Sequence, residues 1–253
     1  MGLLAIIGGS GFQTLPGFEV ETREPVSTPY GPTSADLARG RLRGLELVFL
    51  PRHGPGHSIP PHRINYRANL WALADVGVDE IIALAAVGGI GAMHGPLTLS
   101  VPDQIIDYTY GRGHSVFDGG DDDELAHVDM TEPYCARLRT ALLEAGRSAG
   151  LSVHDGGTYG VTQGPRLETA AEIRRLERDG CDLVGMTAMP EAALARELGL
   201  CYATLAFVVN WAAGKAEGPI GMDEIEANLA LCRTDVERLL VAFVTTRAAA
   251  APT

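Results

Sequence analysis

Arg52 and His53 directly follow the apolar run Leu45 to Leu50, setting a guanidinium fork beside an imidazole, a pair suited to gripping a small oxyanion. Gly8-Gly-Ser-Gly11 follows another apolar run and reads either as an anion nest, with Ser10 as a hydroxyl donor, or as a tight strand exit. It completes neither familiar nucleotide loop: the pattern from Gly9 reaches Thr14 where a third glycine belongs, and no Gly-Lys-Ser/Thr follows. Ala85-Ala-Val-Gly-Gly89 offers only small residues, which suits close approach of backbone N–H groups to a ligand or a packed strand end. Met186-Thr187 closes a further run just before a helix start, where Thr187 could add a hydroxyl to an anion and Met186 is either core or the floor of a pocket. Asn210, ending the run Cys201 to Val209, carries one amide that both donates and accepts, so a ring edge read there hangs on it. Glu168, in Gly164-Pro-Arg-Leu-Glu-Thr169, is either a favourable first-turn charge or a carboxylate that accepts a ring N–H of a ligand.

Most of these residues sit at the ends of short apolar runs: Leu3 to Ile7, Leu45 to Leu50, Glu80 to Val87, Gln104 to Tyr108, Asp182 to Met186 and Cys201 to Val209. Helical patterns alternate with them over Ile64 to Asp75, Pro133 to Ala149, Leu167 to Asp179, Pro190 to Leu198 and Met222 to Arg247. Such alternation predicts an α/β class with a central mixed, largely parallel β-sheet flanked by helices. In open sheets of that kind ligands lie beyond the carboxyl ends of strands, where Arg52 and His53 fall. Asn65, Tyr66 and Asn69 are expected to anchor a helix start, and His57 and His62 to anchor a Pro-rich loop.

The length of 253 residues with 46% hydrophobic content suits a single domain over residues 1–253, with 248–253 frayed. A formal charge of −12 argues against nucleic-acid binding, which relies on phosphate-neutralising Lys and Arg. No apolar run is long enough to span a bilayer, so no membrane partner is expected. Cysteines at 135, 181, 201 and 232 show no C-x-x-C and no zinc-like pairing, which predicts neither a disulfide framework nor a metal site and favours a cytoplasmic protein. Gly111 to Glu124 reads as a solvated loop.

Taken in order, Gly8-Gly-Ser-Gly11, Thr28-Pro-Tyr-Gly-Pro32, Arg52-His53-Gly54, Asn65-Tyr-Arg-Ala-Asn-Leu-Trp-Ala-Leu73, Gly164 to Thr169, Gly185-Met-Thr-Ala-Met-Pro-Glu191 and Asn210 resemble the trimeric purine nucleoside phosphorylase and methylthioadenosine phosphorylase family. The resemblance implies a phosphorylase fold and a pentosyl transfer to phosphate, with phosphate as co-substrate and no other cofactor. It implies a phosphate pocket of Ser10, Arg52, His53 and Thr187, with Ala85 and Ala86 lending backbone; Ala85 stands where many adenine-type members carry a hydroxyl. It makes His53 and Asn210 catalytic and places the nucleoside against Leu167, Glu168, Met186, Asn210, Trp211 and Ala212. It also implies a homotrimer in which His127 reaches the neighbour's pocket.

Two positions depart from the methylthioadenosine branch. Asn210-Trp-Ala212 stands where adenine-specific members resemble Asp-Tyr-Asp, and Glu168 stands where they carry a small hydroxyl residue. Both resemble 6-oxopurine enzymes. Members that take inosine use a histidine in the C-terminal helical region for the 5′-hydroxyl, but the last histidine here is His154; Met222 and Ile225 fall there instead and suit a methylthio group. The combination implies cleavage of methylthioinosine to hypoxanthine and 5-methylthioribose 1-phosphate. The alternatives are a methylthioadenosine phosphorylase, an inosine/guanosine phosphorylase, and a non-catalytic nucleoside-binding protein.

Overall fold

The computed structural model describes residues 2–117 and 127–249. Its strands are β1 (Leu3–Gly8), β2 (Phe18–Glu24), β3 (Leu37–Leu42), β4 (Leu45–Pro51), β5 (Val78–Gly89), β6 (Leu99–Val101), β7 (Gln104–Asp107), β8 (Val153–Asp155), β9 (Thr158–Val161), β10 (Leu183–Gly185) and β11 (Cys201–Trp211). Its helices are α1 (Tyr66–Asp75), α2 (Ala136–Ser148), α3 (Ala170–Arg178), α4 (Ala188–Glu197) and α5 (Met222–Ala249). β1, β4, β5 and β11 are buried on both faces, which is why their sequences are nearly continuous apolar runs without alternation.

The sheet runs β2-β3-β4-β1-β5-β10-β9-β7, with β11 also on β5 and carrying β6 and then β8. β1 is parallel to β4 and β5, and β11 is parallel to β5, so four carboxyl ends gather on one side. The antiparallel pairs β2–β3, β3–β4, β5–β10 and β6–β11 make it mixed, as expected. On one face α2 and α5 bury Leu138, Leu142, Leu239 and Phe243 against Ile6, Leu205 and Phe207. On the other, α1 and α4 bury Leu70, Leu73 and Leu194 against Ile7, Leu50 and Ile81. Each such aliphatic side chain contributes on the order of 2 kcal/mol of burial.

Local chemistry fixes the helix starts. The Asn65 side chain accepts from Ala68 N at 3.2 Å and caps α1, while Asn69 holds Ser34, so both act as the expected anchors. Thr169 and Glu172 form a reciprocal capping box, which starts α3 at Ala170 and leaves Leu167 to Thr169 outside the helix that the periodicity predicts from Leu167. Within α4, Met189 is extended (φ −119, ψ 135), so the regular helix begins at Pro190. Thr187 therefore lies outside the first continuous turn, and the expected helix-terminus help for an anion there is reduced.

The five strands absent from the sequence reading have plain reasons. β2 is almost wholly exposed and polar, β3 interleaves arginines and a glycine, and β6, β8 and β9 are only three or four residues long. The cysteine expectation is corrected: Cys135 and Cys201 form a disulfide, while Cys181 and Cys232 are free and buried. The bridged pair is 66 residues apart, and only the fold brings it together, with Cys135 N donating to Tyr202 O at 2.8 Å. The cysteine pattern therefore gives no support to a reducing compartment. Among the described residues no helix is long and apolar enough to cross a membrane. Most of the fraying expected for 248–253 and part of the expected loop, 118–124, lie outside the described residues.

Candidate active site

A cavity of about 480 Å³ opens where the carboxyl ends of β1, β4, β5 and β11 meet, a size typical of small-molecule sites. Ser10, Arg52, His53, Ala85, Ala86 and Thr187 all line it. So do Leu167, Glu168, Met186, Asn210, Ala212, Met222 and Ile225. One expected position is not brought in: Trp211 turns its indole toward Gly95 rather than into the cavity. His127, expected in the neighbour's pocket and not in this one, is exposed.

The cavity exists because the edge of β5 is left open. β1 pairs with β5 only as far as Ala83, and β10 takes up that edge at Gly88 and Gly89. Between them the Leu84 carbonyl is met by Arg52 Nη1 at 3.0 Å. Strand alternation makes Ala86 the next residue whose N–H faces the same edge, while Ala85 turns its backbone to β11. Gly9 packs so closely on this edge that a Cβ there would overlap the Leu84 oxygen.

Arg52 is 1% exposed and its fork is already occupied. Nε and Nη2 donate to Glu191 Oε1 and Oε2 at 2.6 and 2.9 Å, and Glu191, fully buried, also accepts from Tyr202 Oη at 2.9 Å. Burial disfavours the guanidinium charge, but Glu191, with Tyr202 and Tyr66, more than offsets it and holds the pKa above its ordinary value. Three of five N–H groups are thus taken, and two remain for a ligand. Glu191 is a site residue that sequence reasoning missed, because its partner lies 139 positions away.

His53 Nδ1 lies 2.9 Å from Ile59 O, an atom that can only accept, so Nδ1 carries the proton and Nε2 is left as an acceptor. Burial first, and then the neighbouring Arg52, push its pKa down to about 4. A neutral imidazole of this tautomer accepts a hydrogen bond from a ligand at Nε2 and does not donate one there. Thr187 makes no side-chain cap to α4 and lines the cavity beside Tyr159.

Asn210 reaches the cavity through a bulge. β11 and β5 pair Val208 with Val87 and then Asn210 with Gly88, leaving Val209 as an extra residue. Val209 and Asn210 consequently both line the cavity, whereas strict alternation would turn one of them away. Asn228 Nδ2 on α5 donates to Val209 O at 2.9 Å and pins the bulge. The Asn210 amide donates to Trp211 O at 2.7 Å, which fixes its orientation and leaves one N–H and one carbonyl oxygen.

Glu168 accepts from Thr162 Oγ1 at 2.6 Å. Arg166 makes its two short contacts, 2.8 and 2.7 Å, with Glu172 rather than with Glu168. Arg112, which no sequence pattern marked, ties the surrounding loops together: Nη1 donates to Met186 O and Met189 O, and Nη2 to Thr162 O and Gln163 O. Gly164 (φ +62) lets Met186 pack there, since a Cβ would overlap its sulfur.

Ile220, Met222, Ile225 and Leu229 give the cavity an apolar wall. His57, expected to be a loop anchor, lines it too, as does Ser58; the His57 ring lies 4.2 Å from that of His53 and contacts Gln13 Nε2 at 3.3 Å. Among the described residues no group of three or more His, Cys, Asp or Glu could hold a metal.

The chain that carries this cavity has close counterparts among known proteins. A probable S-methyl-5′-thioinosine phosphorylase from Pseudomonas syringae pv. tomato is 52% identical over 90% of this chain and 93% of its own length. A 6-oxopurine nucleoside phosphorylase from Pyrococcus furiosus is 46% identical over 95% and 91%. Among solved structures, methylthioadenosine phosphorylase from Schistosoma mansoni in complex with adenine superposes with a TM-score of 0.93 at 32% identity, covering 99% of this chain and 93% of that one. The family model described as the phosphorylase superfamily matches residues 3–245, nearly the whole length over which the fold and cavity were traced, and the chain belongs to that superfamily.

Proposed function

We propose that this chain is an S-methyl-5′-thioinosine phosphorylase of purine salvage, converting methylthioinosine and phosphate to hypoxanthine and 5-methylthioribose 1-phosphate. The observation that carries this reading is Glu168 and Asn210 in one cavity with Arg52, His53 and Thr187, opposite an apolar wall of Met222 and Ile225. Phosphate is oriented by the two spare N–H groups of Arg52, the Ser10 and Thr187 hydroxyls and the Ala86 N–H. His53 Nε2 accepts a hydrogen bond from a phosphate hydroxyl and orients the anion that attacks C1′. As the glycosidic bond loosens, positive charge on the ribosyl ring is stabilised by that anion, and negative charge on the purine by the remaining Asn210 N–H at N7.

With one N–H spent on Trp211, the amide alone is compatible with either base, so discrimination falls to Glu168. An ionised carboxylate accepts N1–H of hypoxanthine and meets only a lone pair on adenine, a difference of about 1 to 3 kcal/mol. The apolar wall leaves a 5′-hydroxyl unpaired there and favours the thioether by a similar amount. Ordinary inosine is the second reading, favoured by one observation: His57 and Ser58 also line the cavity. A homotrimer in which His127 completes the neighbouring pocket belongs to the same proposal.

Phosphate-dependent release of free base from methylthioinosine, methylthioadenosine and inosine tests the reading. The first is expected to turn over fastest. Faster adenine release overturns the base assignment, equal use of inosine overturns the 5′ assignment, and binding without phosphorolysis overturns the enzyme.

A further inference from the structure

We infer that Thr162 is a positioning residue for base selection, acting through Glu168. The inference rests on the reading of Glu168 as the group that accepts the purine N1–H. Thr162 stands just past the end of β9, with all its polar groups engaged. Its N–H donates to Gly185 O at 2.8 Å, joining it to the end of β10, and its carbonyl accepts from Arg112 Nη2 at 3.2 Å. Its hydroxyl lies 2.6 Å from Glu168 Oε1 and 3.3 Å from Gly185 O. A hydroxyl has one proton to give, and the short contact to a carboxylate takes it.

The consequence is geometric. Glu168 sits on a loop, not on a helix or strand, and a glutamate there has several rotatable bonds to settle before it can meet a ligand. Thr162 fixes one oxygen of that carboxylate to a residue held by two strands. Among the described residues the other oxygen has no hydrogen-bond partner, so the carboxylate offers the cavity a single aimed acceptor. One acceptor at a defined place suits one ring N–H; a wandering carboxylate could also turn an oxygen to an exocyclic amine and so tolerate a 6-aminopurine. Thr162 thereby sharpens selectivity without touching substrate. Its role was not legible in sequence because β9 is only four residues long and the reading placed no strand there.

The test is the ratio of kcat/KM for methylthioinosine over methylthioadenosine in wild type, T162V and T162S. T162V keeps the shape and loses the donor; the ratio is expected to fall about ten-fold, carried by a higher KM for the 6-oxopurine nucleoside, with the KM for phosphate unchanged. T162S keeps the donor and is expected to restore the ratio to within about three-fold. In an E168Q background T162V is expected to add nothing. Should T162V not fold, T162A reads the same loss. An unchanged ratio in a folded T162V or T162A protein overturns the inference, as does a ten-fold fall in T162S or an undiminished effect in E168Q. Wild-type preference for adenine nucleosides or for inosine instead overturns the proposed function, and the 6-oxo to 6-amino ratio still reports on Thr162 with inosine and adenosine as the pair.

Discussion

Replacing Glu191 by glutamine tests the most consequential contact in the site. Glu191 is fully buried, Arg52 is 1% exposed, and two hydrogen bonds of 2.6 and 2.9 Å join them. The amide in E191Q would keep the volume and one acceptor but remove the charge, leaving a guanidinium buried without its counter-ion. Breaking a buried pair from one side costs about 3 to 5 kcal/mol, and at about 2 to 4 °C per kcal/mol for a chain of this size the midpoint should fall by roughly 10 °C. A second effect follows from the same electrostatics. In the wild type an incoming anion meets a pair that is already neutral; in E191Q it becomes the counter-ion. Inorganic phosphate should therefore raise the melting temperature more in E191Q than in the wild type, since stabilisation grows with occupancy of the folded state. Thermal melts by circular dichroism at rising phosphate concentration measure both. A variant that melts within about 2 °C of wild type, with the same phosphate increment, would refute the assignment of Glu191 as the partner that neutralises Arg52.

Other outcomes are expected. N210D combined with E168S should shift kcat/KM toward methylthioadenosine by about ten-fold or more, read by parallel assays on both nucleosides; unchanged selectivity places base reading elsewhere. His53 has a folded pKa of about 4 against 6.5 unfolded, so the unfolded chain binds more protons between those values. Its stability contribution is present above pH 6.5 and is lost as pH falls toward 4, at most about 3 kcal/mol; urea unfolding of H53Q should be flatter across that window, with residual slope from His57 and His94, which burial shifts the same way. Reducing the Cys135–Cys201 bridge, which closes a span of 66 residues, should cost up to about 4 kcal/mol by loop entropy. Activity at ambient temperature should survive, because Asn210 lies nine positions beyond Cys201 along β11, about 30 Å away; loss of turnover on reduction without unfolding would contradict this.

How far the sequence could be read depended on where each residue's partner lies. Arg52, His53, Ala86 and Thr187 were visible because each directly follows or ends an apolar run, and a run that names a strand also names its end. Glu168 and Asn210 stood out through their chemistry. The fold class followed from runs buried on both faces, while β2 escaped because an exposed edge strand carries no apolar signature. Contacts between distant positions were not readable: Arg52 with Glu191, Arg112 with four carbonyls, and Cys135 with Cys201. Trp211 was expected beside Asn210 in the pocket from the resemblance, and ordinary strand alternation after Asn210 turns it the other way.

The extra residue in β11, Val209, makes ligand choice a matter of counting. A strand shows its residues to alternate sides, so deleting or inserting a single position between Leu205 and Val209 would present a different neighbour to the heterocycle while leaving the amino acids themselves unchanged. Evolution of preference in this protein can thus proceed by a shift in phase as well as by substitution, and a shortened or lengthened β11 would be the mark of it.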